Sequence, residues 1–218
     1  MPGKGGRRGF DRLGYHPGDY RTPSTPAARF EVIMGAVLTQ NTAWTNASAA
    51  LARLREAGIR LPAGLLALSQ ERLAGLIRSS GCFNQKARKL QSIAAVFRGR
   101  GALGSAAAPA RDALLSEWGI GPETADSILL YAFHVPVFVV DAYTRRILSR
   151  IGLIGGRETY GGIQDLFHSS LEARAPLYNE YHALIVEHAK AHCRTRPECA
   201  SCPVKRCRYR DGRSARRS

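Results

Sequence analysis

The sequence contains no long hydrophobic run and very little lysine. No stretch approaches the roughly 20 apolar residues that a membrane-spanning helix needs, and the basic first ten residues lack the apolar segment of a secretory signal. We therefore expect a cytoplasmic protein that does not contact membranes. The scarcity of lysine limits which side chains could act as an amine nucleophile to Lys4, Lys86, Lys89, Lys190 and Lys205.

Acidic residues are also in short supply. The 218 residues include 32 lysines and arginines but only 17 acidic residues, which gives a formal net charge of +15 and a pI near 10.3. Because 44% of the residues are hydrophobic, the chain is predicted to fold, and its charge favours a polyanionic partner. Nucleic acid is the first candidate, and a merely well-solvated basic surface is the alternative. The length suits one large core or two small domains.

Strand-forming patterns are nearly absent from the sequence. Apolar residues recur at helical spacing from Phe30 onward, and the one strand-like stretch, 134–140, is too short and isolated to build a sheet. Ser69 is placed to begin a helix, and Gly58 and Gly81 are placed to end two others. Residues 1–28 are rich in glycine, proline and arginine and are predicted to form an irregular arm. The predicted fold class is therefore all-α.

A glycine pair separates two of the predicted helices. Leu114 and Trp118 mark the first helix, Gly119-Ile120-Gly121 forms the turn, and Pro122 suits the first turn of the next helix. Helix N-termini present unpaired amides that bind anions, and glycines let a phosphate approach the backbone, while Ile120 can anchor the hairpin. The pattern also describes an ordinary tight turn between helices, but the net charge favours phosphate binding by Gly119, Ile120 and Gly121.

Asp141 follows the extended apolar run 135–140 and precedes a predicted helix. The simplest interpretation is a helix N-cap. A carboxylate fixed near a DNA sugar could also stabilise an oxocarbenium-like transition state or activate water. Both roles are compatible with one position.

Amides and an indole occur together where the first helical pattern breaks, at Gln40, Asn41 and Trp44. A cap followed by a loop would explain them. In a protein that flips a base out of duplex DNA, the amides would fill the gap and the indole could stack on the extruded base.

Four cysteines lie close together near the end of the chain: Cys193, Cys199, Cys202 and Cys207. Four thiolates within fifteen residues can hold one zinc ion or one cubane cluster, and a reducing cytosol disfavours disulfides. Cys82 stands alone in an apolar segment and is predicted to be a buried thiol. His188 and His192 precede the cluster and are expected to be spare.

Together these residues resemble the endonuclease III superfamily of DNA glycosylases, from Phe30 to about Cys207. The matching elements are Val37-Leu38-Thr39-Gln40 at the end of the first barrel helix, Gly81-Cys82-Phe83-Asn84-Gln85-Lys86-Ala87, the hairpin, Val140-Asp141, and the late four-cysteine loop. Five such elements in this order make a specific match.

The resemblance implies a six-helix barrel over 29–135 and a second helical domain over 136–218 that packs with the arm 1–28, with an active-site cleft between the domains. It implies that the four late cysteines hold a redox-quiet [4Fe-4S] cluster in preference to zinc, although their spacing is shorter than is usual in endonuclease III. The implied partner is double-stranded DNA with a damaged base, bound by a monomer that in a bacterium would be associated with the nucleoid.

Two positions depart from the better-known branches of the family. Bifunctional members carry a Schiff-base lysine two residues after the second hairpin glycine, where this chain has Glu123. Adenine-mismatch glycosylases have a catalytic glutamate where this chain has Ala36. Lys86 and Lys89 are predicted to lie on an exposed face. The chain looks most similar to the 3-methyladenine DNA glycosylase III branch, which is monofunctional.

That branch implies hydrolysis of the N-glycosidic bond of an alkylated purine. Asp141 would be the catalytic residue, and Trp44 or Tyr143 would stack on the positively charged base. Two alternatives stay open. The first is a glycosylase with AP lyase activity on oxidised or mismatched pyrimidines. The second is a non-catalytic DNA-binding module that uses only the hairpin and the basic tail, which runs from Lys205 to Arg217.

Overall fold

The computed structural model describes residues 10–11, 14–15, 22–98, 103 and 108–214. The chain divides into two compact units, 1–137 and 138–218. The predicted all-α class is confirmed: the strand pairing in the described residues is limited to a two-residue antiparallel ladder of β1 (Phe10–Asp11) and β2 (Gly14–Tyr15). Within the described residues, every helix is too short or too polar to cross a membrane.

The helices of the first unit can be given for its described residues. They are α1 (Pro26–Leu38), α2 (Trp44–Glu56), α3 (Pro62–Leu66), α4 (Gln70–Leu76), the 3-10 turn Arg78–Ser80, α5 (Phe83–Val96), α6 (Arg111–Leu115) and α7 (Pro122–Phe133). Helix α1 packs against α7, α2 and α5. Its apolar side chains at helical spacing, Phe30, Ile33 and Val37, are fully buried, and burial of each contributes about 1.5–3 kcal/mol.

The second unit contains α8 (Ala142–Ile151), α9 (Tyr160–Ser170), α10 (Ala175–Ala191) and α11 (Arg208–Ser214). Helices α10 and α11 both pack against α8. The ring of Phe138 stacks on Phe167 of α9 with centroids 3.6 Å apart and meets Tyr178 of α10 edge-on. This aromatic cluster fixes the extended segment that leads into α8.

Local capping signals in the sequence identified several helix ends correctly. Ser69 accepts a hydrogen bond from the amide of Arg72, and Gly58 follows α2 with a φ of 78°. Gly81 follows the 3-10 turn with a φ of 67° and a ψ of 159°, whereas α4 already ends at Leu76. The region 134–140 does not pair into a sheet, as predicted, although His134 is left-handed with a φ of 56° and the amide of Val137 donates to the carbonyl of Val135 in a tight turn. The helix expected to reach Trp118 instead ends at Leu115. The packing of the arm 1–28 stays a prediction, because most of 1–21 lies outside the described residues.

Candidate active site and cysteine loop

The hairpin joins α6 to α7 through Gly119, Ile120 and Gly121. Gly119 has a φ of 75°, which a residue with a side chain rarely adopts, and Ile120 is only 5% exposed. An ion pair locks the two helices, because Arg111 at the start of α6 donates two hydrogen bonds to the fully buried carboxylate of Asp126 in α7. Both glycines are exposed at the N-terminus of α7. An exposed helix N-terminus of this kind can bind an anion.

Trp118 lies on the surface immediately before the hairpin. Its side chain is 44% exposed, because α6 ends three residues earlier and does not turn the indole into the core. The guanidinium of Arg88 sits 4.2 Å from the ring centroid, and the ammonium of Lys89 lies 6.0 Å from it. Two cations of α5 therefore border the hairpin.

Gln40 is tied to the hairpin by its side-chain amide. Its Nε2 donates to Thr124 Oγ1 at 2.8 Å and to the carbonyl of Gly119 at 3.3 Å, and its Oε1 accepts from Lys89 Nζ at 2.5 Å. The sequence predicted that Gln40 would lie at a helix end, and it follows α1. Its three hydrogen-bond partners, two of them about eighty residues away, were not predicted.

The neighbouring residues Asn41 and Trp44 differ from Gln40 in their surroundings. Asn41 is exposed and adopts the left-handed conformation with a φ of 51°, which asparagine tolerates better than most residues. Trp44 is half-buried and is the first residue of α2. Gln40 and Asn41 therefore lie in the turn between α1 and α2, and Trp44 follows that turn at the start of α2.

Asp141 is the N-cap of α8, and both of its carboxylate oxygens are engaged. Oδ1 accepts from the amide of Thr144 at 2.7 Å and from its hydroxyl at 2.8 Å, while Oδ2 lies 3.5 Å from Nε2 of His182 in α10. Burial alone raises the pKa of Asp141, but the close contact and charge of His182 and the two hydrogen bonds from Thr144 outweigh it. The net effect lowers the pKa, so the carboxyl is ionised at neutral pH.

The extended segment before Asp141 is held by three side chains of α9 that are spaced four residues apart. Gln164 donates to the carbonyl of Phe138 at 2.6 Å, and His168 Nε2 accepts from the Phe138 amide at 3.0 Å. The hydroxyl of Tyr160 accepts from the amide of Val140 at 3.3 Å. These three residues, which we term the α9 ladder, bond to the backbone as a neighbouring strand would.

Tyr143 follows Asp141 on the first turn of α8. Its ring is half-buried and lies 5.0 Å from the guanidinium of Arg146. Arg146 in turn donates to the carbonyl of Cys193 at 2.8 Å. The same helix therefore carries the candidate catalytic carboxylate at its N-terminus and reaches the cysteine loop through its arginines.

All four late cysteines line one small cavity beside α8. The guanidinium of Arg150 donates to Cys193 Sγ and to the carbonyls of Cys193, Arg194 and Thr195, at 2.5 to 3.2 Å. Nε2 of His188 lies 3.7 Å from Cys202 Sγ, and burial together with His192 lowers the pKa of His188. Across the described parts of the chain, no three Cys, His, Asp or Glu groups are close enough to hold a single metal ion.

The predicted solvent exposure of three side chains is wrong. Lys86 is only 3% exposed and donates to the carbonyls of Leu38 and Ser80 at 2.8 and 2.6 Å, which caps the C-terminal ends of α1 and of the 3-10 turn. Lys89 is half-buried against Gln40 instead of solvated. Cys82 is exposed, because it adopts a left-handed conformation as the N-cap of α5.

Comparison with known proteins decides the family. A model of HhH-GPD superfamily base excision DNA repair proteins matches residues 34–173, more than half of the chain. The chain belongs to the HhH-GPD superfamily. A candidate DNA repair glycosylase of Methanocaldococcus jannaschii is 41% identical to this HhH-GPD protein over 184 residues, which cover 81% of this chain and 84% of the relative. The protein is thus a base excision repair DNA glycosylase, as the sequence predicted.

Two solved structures also resemble this HhH-GPD protein. One is a trapped endonuclease III–DNA covalent intermediate, with a TM-score of 0.75 and 26% identity over 85% of this chain and 86% of that one. The other is the H. pylori 3-methyladenine DNA glycosylase bound to 1,N6-ethenoadenine, with a TM-score of 0.65 and 29% identity over 79% of this chain and 92% of that one. The similarity to an endonuclease III and to a 3-methyladenine DNA glycosylase establishes the fold. It does not distinguish between their substrates.

Several residues of the candidate site were missed by the sequence interpretation. His182, Arg150 and the α9 ladder sit in ordinary amphipathic helices, where a polar residue usually faces solvent. One available signal was the four-residue spacing of Tyr160, Gln164 and His168, which places them on one face of a helix.

Proposed function

We propose that this glycosylase is monofunctional and hydrolyses the N-glycosidic bond of an alkylated purine that is flipped out of double-stranded DNA, with Asp141 as its catalytic residue. The observation that carries this proposal is the state of Asp141. Its carboxylate is ionised, largely buried and fixed by Thr144 and His182. A preorganised negative charge of this kind stabilises the positive charge that develops on the sugar as the bond breaks.

Glu123 supports hydrolysis over strand cleavage. It is exposed on the first turn of α7, at the position where bifunctional relatives are expected to carry the Schiff-base lysine. A carboxylate cannot form the covalent imine with the sugar that a lyase reaction requires. Water is then the acceptor of the sugar, and the product is an abasic site in an uncut strand.

An alkylated purine suits the aromatic residues Trp44 and Tyr143, one in each unit. Alkylation places positive charge on the base, which makes it a good leaving group and attracts it to the face of an aromatic ring. Trp44 and Tyr143 are both half-buried, so that part of each ring is accessible. The structural likeness to a glycosylase bound to 1,N6-ethenoadenine supports a modified purine as the substrate class.

Duplex DNA would be bound through its phosphates by Gly119, Ile120 and Gly121. The cations of Arg88 and Lys89 beside the hairpin and the net charge of +15 support this interface. Binding of this kind weakens steeply with salt because counterions are released. We expect a monomer to suffice, located in the cytoplasm and on the nucleoid if the cell is bacterial.

The cysteine loop would hold a [4Fe-4S] cluster through Cys193, Cys199, Cys202 and Cys207. All four residues line one cavity, and no three of the described Cys, His, Asp and Glu groups lie within reach of one ion. Each iron of a cubane takes its own thiolate, so the ligands can lie farther apart than around a single zinc. The cluster would supply no chemistry to base excision. It would hold in place the basic segment 193–207, which contains Arg194, Arg196, Lys205 and Arg206.

The test uses duplexes that carry single defined lesions. We expect strand breaks only after alkali treatment, since hydrolysis leaves an alkali-labile abasic site. Asp141→Asn is the matched variant, because asparagine is also a good N-cap and preserves the bond from the Thr144 amide. We expect it to fold normally and to lose about 100-fold or more of the single-turnover excision rate. A fully active Asp141→Asn protein would refute the assignment.

An endonuclease III-like lyase is the second candidate, favoured by the likeness to the trapped covalent intermediate and by Lys89 beside the hairpin. Borohydride trapping of a protein–DNA adduct, abolished by Lys89→Gln, would support it over our proposal. The family match argues against the third possibility, a non-catalytic DNA-binding module, which predicts duplex binding with no release of free base from any lesion.

A further inference from the structure

The two oxygens of Asp141 have different neighbours. Oδ1 is occupied by the amide and the hydroxyl of Thr144, which are part of the helix cap. Oδ2 makes no contribution to the cap and lies 3.5 Å from Nε2 of His182. The two side chains are 13% and 8% exposed, so the contact is poorly screened by water. The oxygen that remains for chemistry is therefore the one that faces the imidazole.

Packing holds the imidazole of His182 in place. His182 shares the buried face of α10 with Asn179 and Val186, three and four residues away. Its ring meets the ring of Phe138 edge-on, with centroids 6.2 Å apart. Phe138 is itself clamped by the stack on Phe167 and by the α9 ladder. A ring confined in this way cannot swing into solvent without disturbing two helices.

The other ionisable groups nearby are occupied elsewhere. Arg145, on the next turn of α8, donates to the carbonyl of Glu158. On α10, Tyr178 lies near His168 of α9 with their rings stacked. The hydroxyl of Tyr160 on α9 accepts from the amide of Val140. Among the described residues, His182 is the one whose charge acts on Asp141.

We propose that His182 is the positioning residue for the catalytic carboxylate: it pairs through Nε2 with Oδ2 of Asp141, 3.5 Å away, holds the orientation of that oxygen and keeps the carboxylate ionised in its buried place. This inference rests on the proposed role of Asp141. Burial raises the pKa of the carboxyl, and the contact with His182 is the largest influence that lowers it again. Without the imidazole, a proton would compete for the catalytic oxygen at higher pH.

His182→Gln tests the proposal by the pH profile of single-turnover excision on saturating enzyme. Glutamine is neutral and similar in size, so it removes the charge and keeps a polar group. Loss of an opposite charge at this distance raises a carboxyl pKa by about one unit or more. We expect the acidic limb of the profile to move up by about one pH unit or more, with about a fivefold or greater loss of rate at the wild-type midpoint.

Two controls separate charge from structure. Thr144→Val removes a neutral hydrogen bond from Oδ1 and should shift the acidic limb less than His182→Gln does. Lys190→Gln removes a positive charge from the exposed part of α10 and should leave the acidic limb where it is. An equal shift in His182→Gln and Lys190→Gln would mean that the effect is one of general charge, and the proposal would be overturned.

A direct titration keeps the proposal testable if His182→Gln does not fold. Carbon-detected NMR of the Asp141 carboxyl in the wild-type protein should show a titration below the ordinary aspartate range. A titration at or above that range would overturn the pairing whatever the activity. If instead the carboxyl titrates low and Asp141→Asn keeps full activity, the pairing stands and the proposed function fails.

Discussion

Gln164 of the α9 ladder offers a sharp test of how the fold positions Asp141. Its side chain is 9% exposed, and its Nε2 donates to the carbonyl of Phe138, three residues before the carboxylate, at 2.6 Å. Gln164→Leu keeps nearly the same volume and removes the donor. The substitution therefore leaves a buried carbonyl without that partner and opens no large cavity.

The magnitude follows from that lost donor. An unsatisfied buried acceptor costs about 1–3 kcal/mol. For a chain of this size, each kcal/mol lowers the Tm by about 2–4 °C, so the unfolding transition should fall by about 2–12 °C. Loosening the segment before Asp141 should also displace its carboxylate, which we propose is catalytic. A displacement of about 1 Å can cost as much as 100-fold in rate, and we expect a loss of about 10- to 100-fold in single-turnover excision.

Circular dichroism melting and single-turnover excision on a lesion duplex measure the two effects. Asp165→Asn, a polar change on the exposed face of the same helix, is the matched control and should alter neither. In the Gln164→Glu protein, only the protonated carboxyl can donate to the carbonyl of Phe138. The stability of this variant should therefore fall as the pH rises through the pKa of the new carboxyl. A Gln164→Leu protein with the wild-type Tm and rate would refute the reasoning. A lower Tm with an unchanged rate would refute the link to catalysis.

Three further changes have defined outcomes. Lys86→Met removes two charge-assisted hydrogen bonds and should cost about 2–3 kcal/mol in urea unfolding; an unchanged midpoint would show that the carbonyls find other donors. Arg150→Met removes the hydrogen bonds to the cysteine loop and should lower iron and sulfide content per chain, with wild-type content as the contrary result. The lowered pKa of Asp141 adds stability that is present above about pH 3.8 and lost as pH falls through its folded pKa. Asp141→Asn should therefore destabilise the protein at pH 7 more than at pH 3, and equal losses at both would contradict this.

Features that depend on local chemistry could be predicted from the sequence. Ser69 and Asp141 act as N-caps because their side-chain oxygens reach amides three residues ahead, whatever the rest of the fold does. Pro122 begins α7 for an equally local reason, since its ring presets the helical φ angle. The hairpin could also be predicted from local residues, namely two glycines followed by a proline. The resemblance to the family then indicated that this hairpin binds DNA.

Features that depend on distant partners could not be predicted. The α9 ladder contacts a segment 20 to 30 residues away, and a helical pattern does not say which backbone its polar face meets. Lys86 shows the same limit: its position suggested an exposed lysine, but the carbonyl ends of α1 and the 3-10 turn converge on it. Trp118 was placed in a helix because spacing does not reveal that α6 stops at Leu115.

The tether of Gln40 changes which residue should fill the gap left by a flipped base. To enter DNA, Gln40 must release Thr124, Gly119 and Lys89, at a net cost of about 2–5 kcal/mol unless phosphates take over the lysine. Asn41 is exposed at the tip of the same turn and already tolerates a positive φ, so it can insert with less rearrangement. We therefore expect Asn41→Ala to weaken binding to a duplex with an abasic site more than Gln40→Ala does, as measured by fluorescence anisotropy. The opposite order would mean that DNA binding releases Gln40, with Lys89 transferred from its amide to a phosphate.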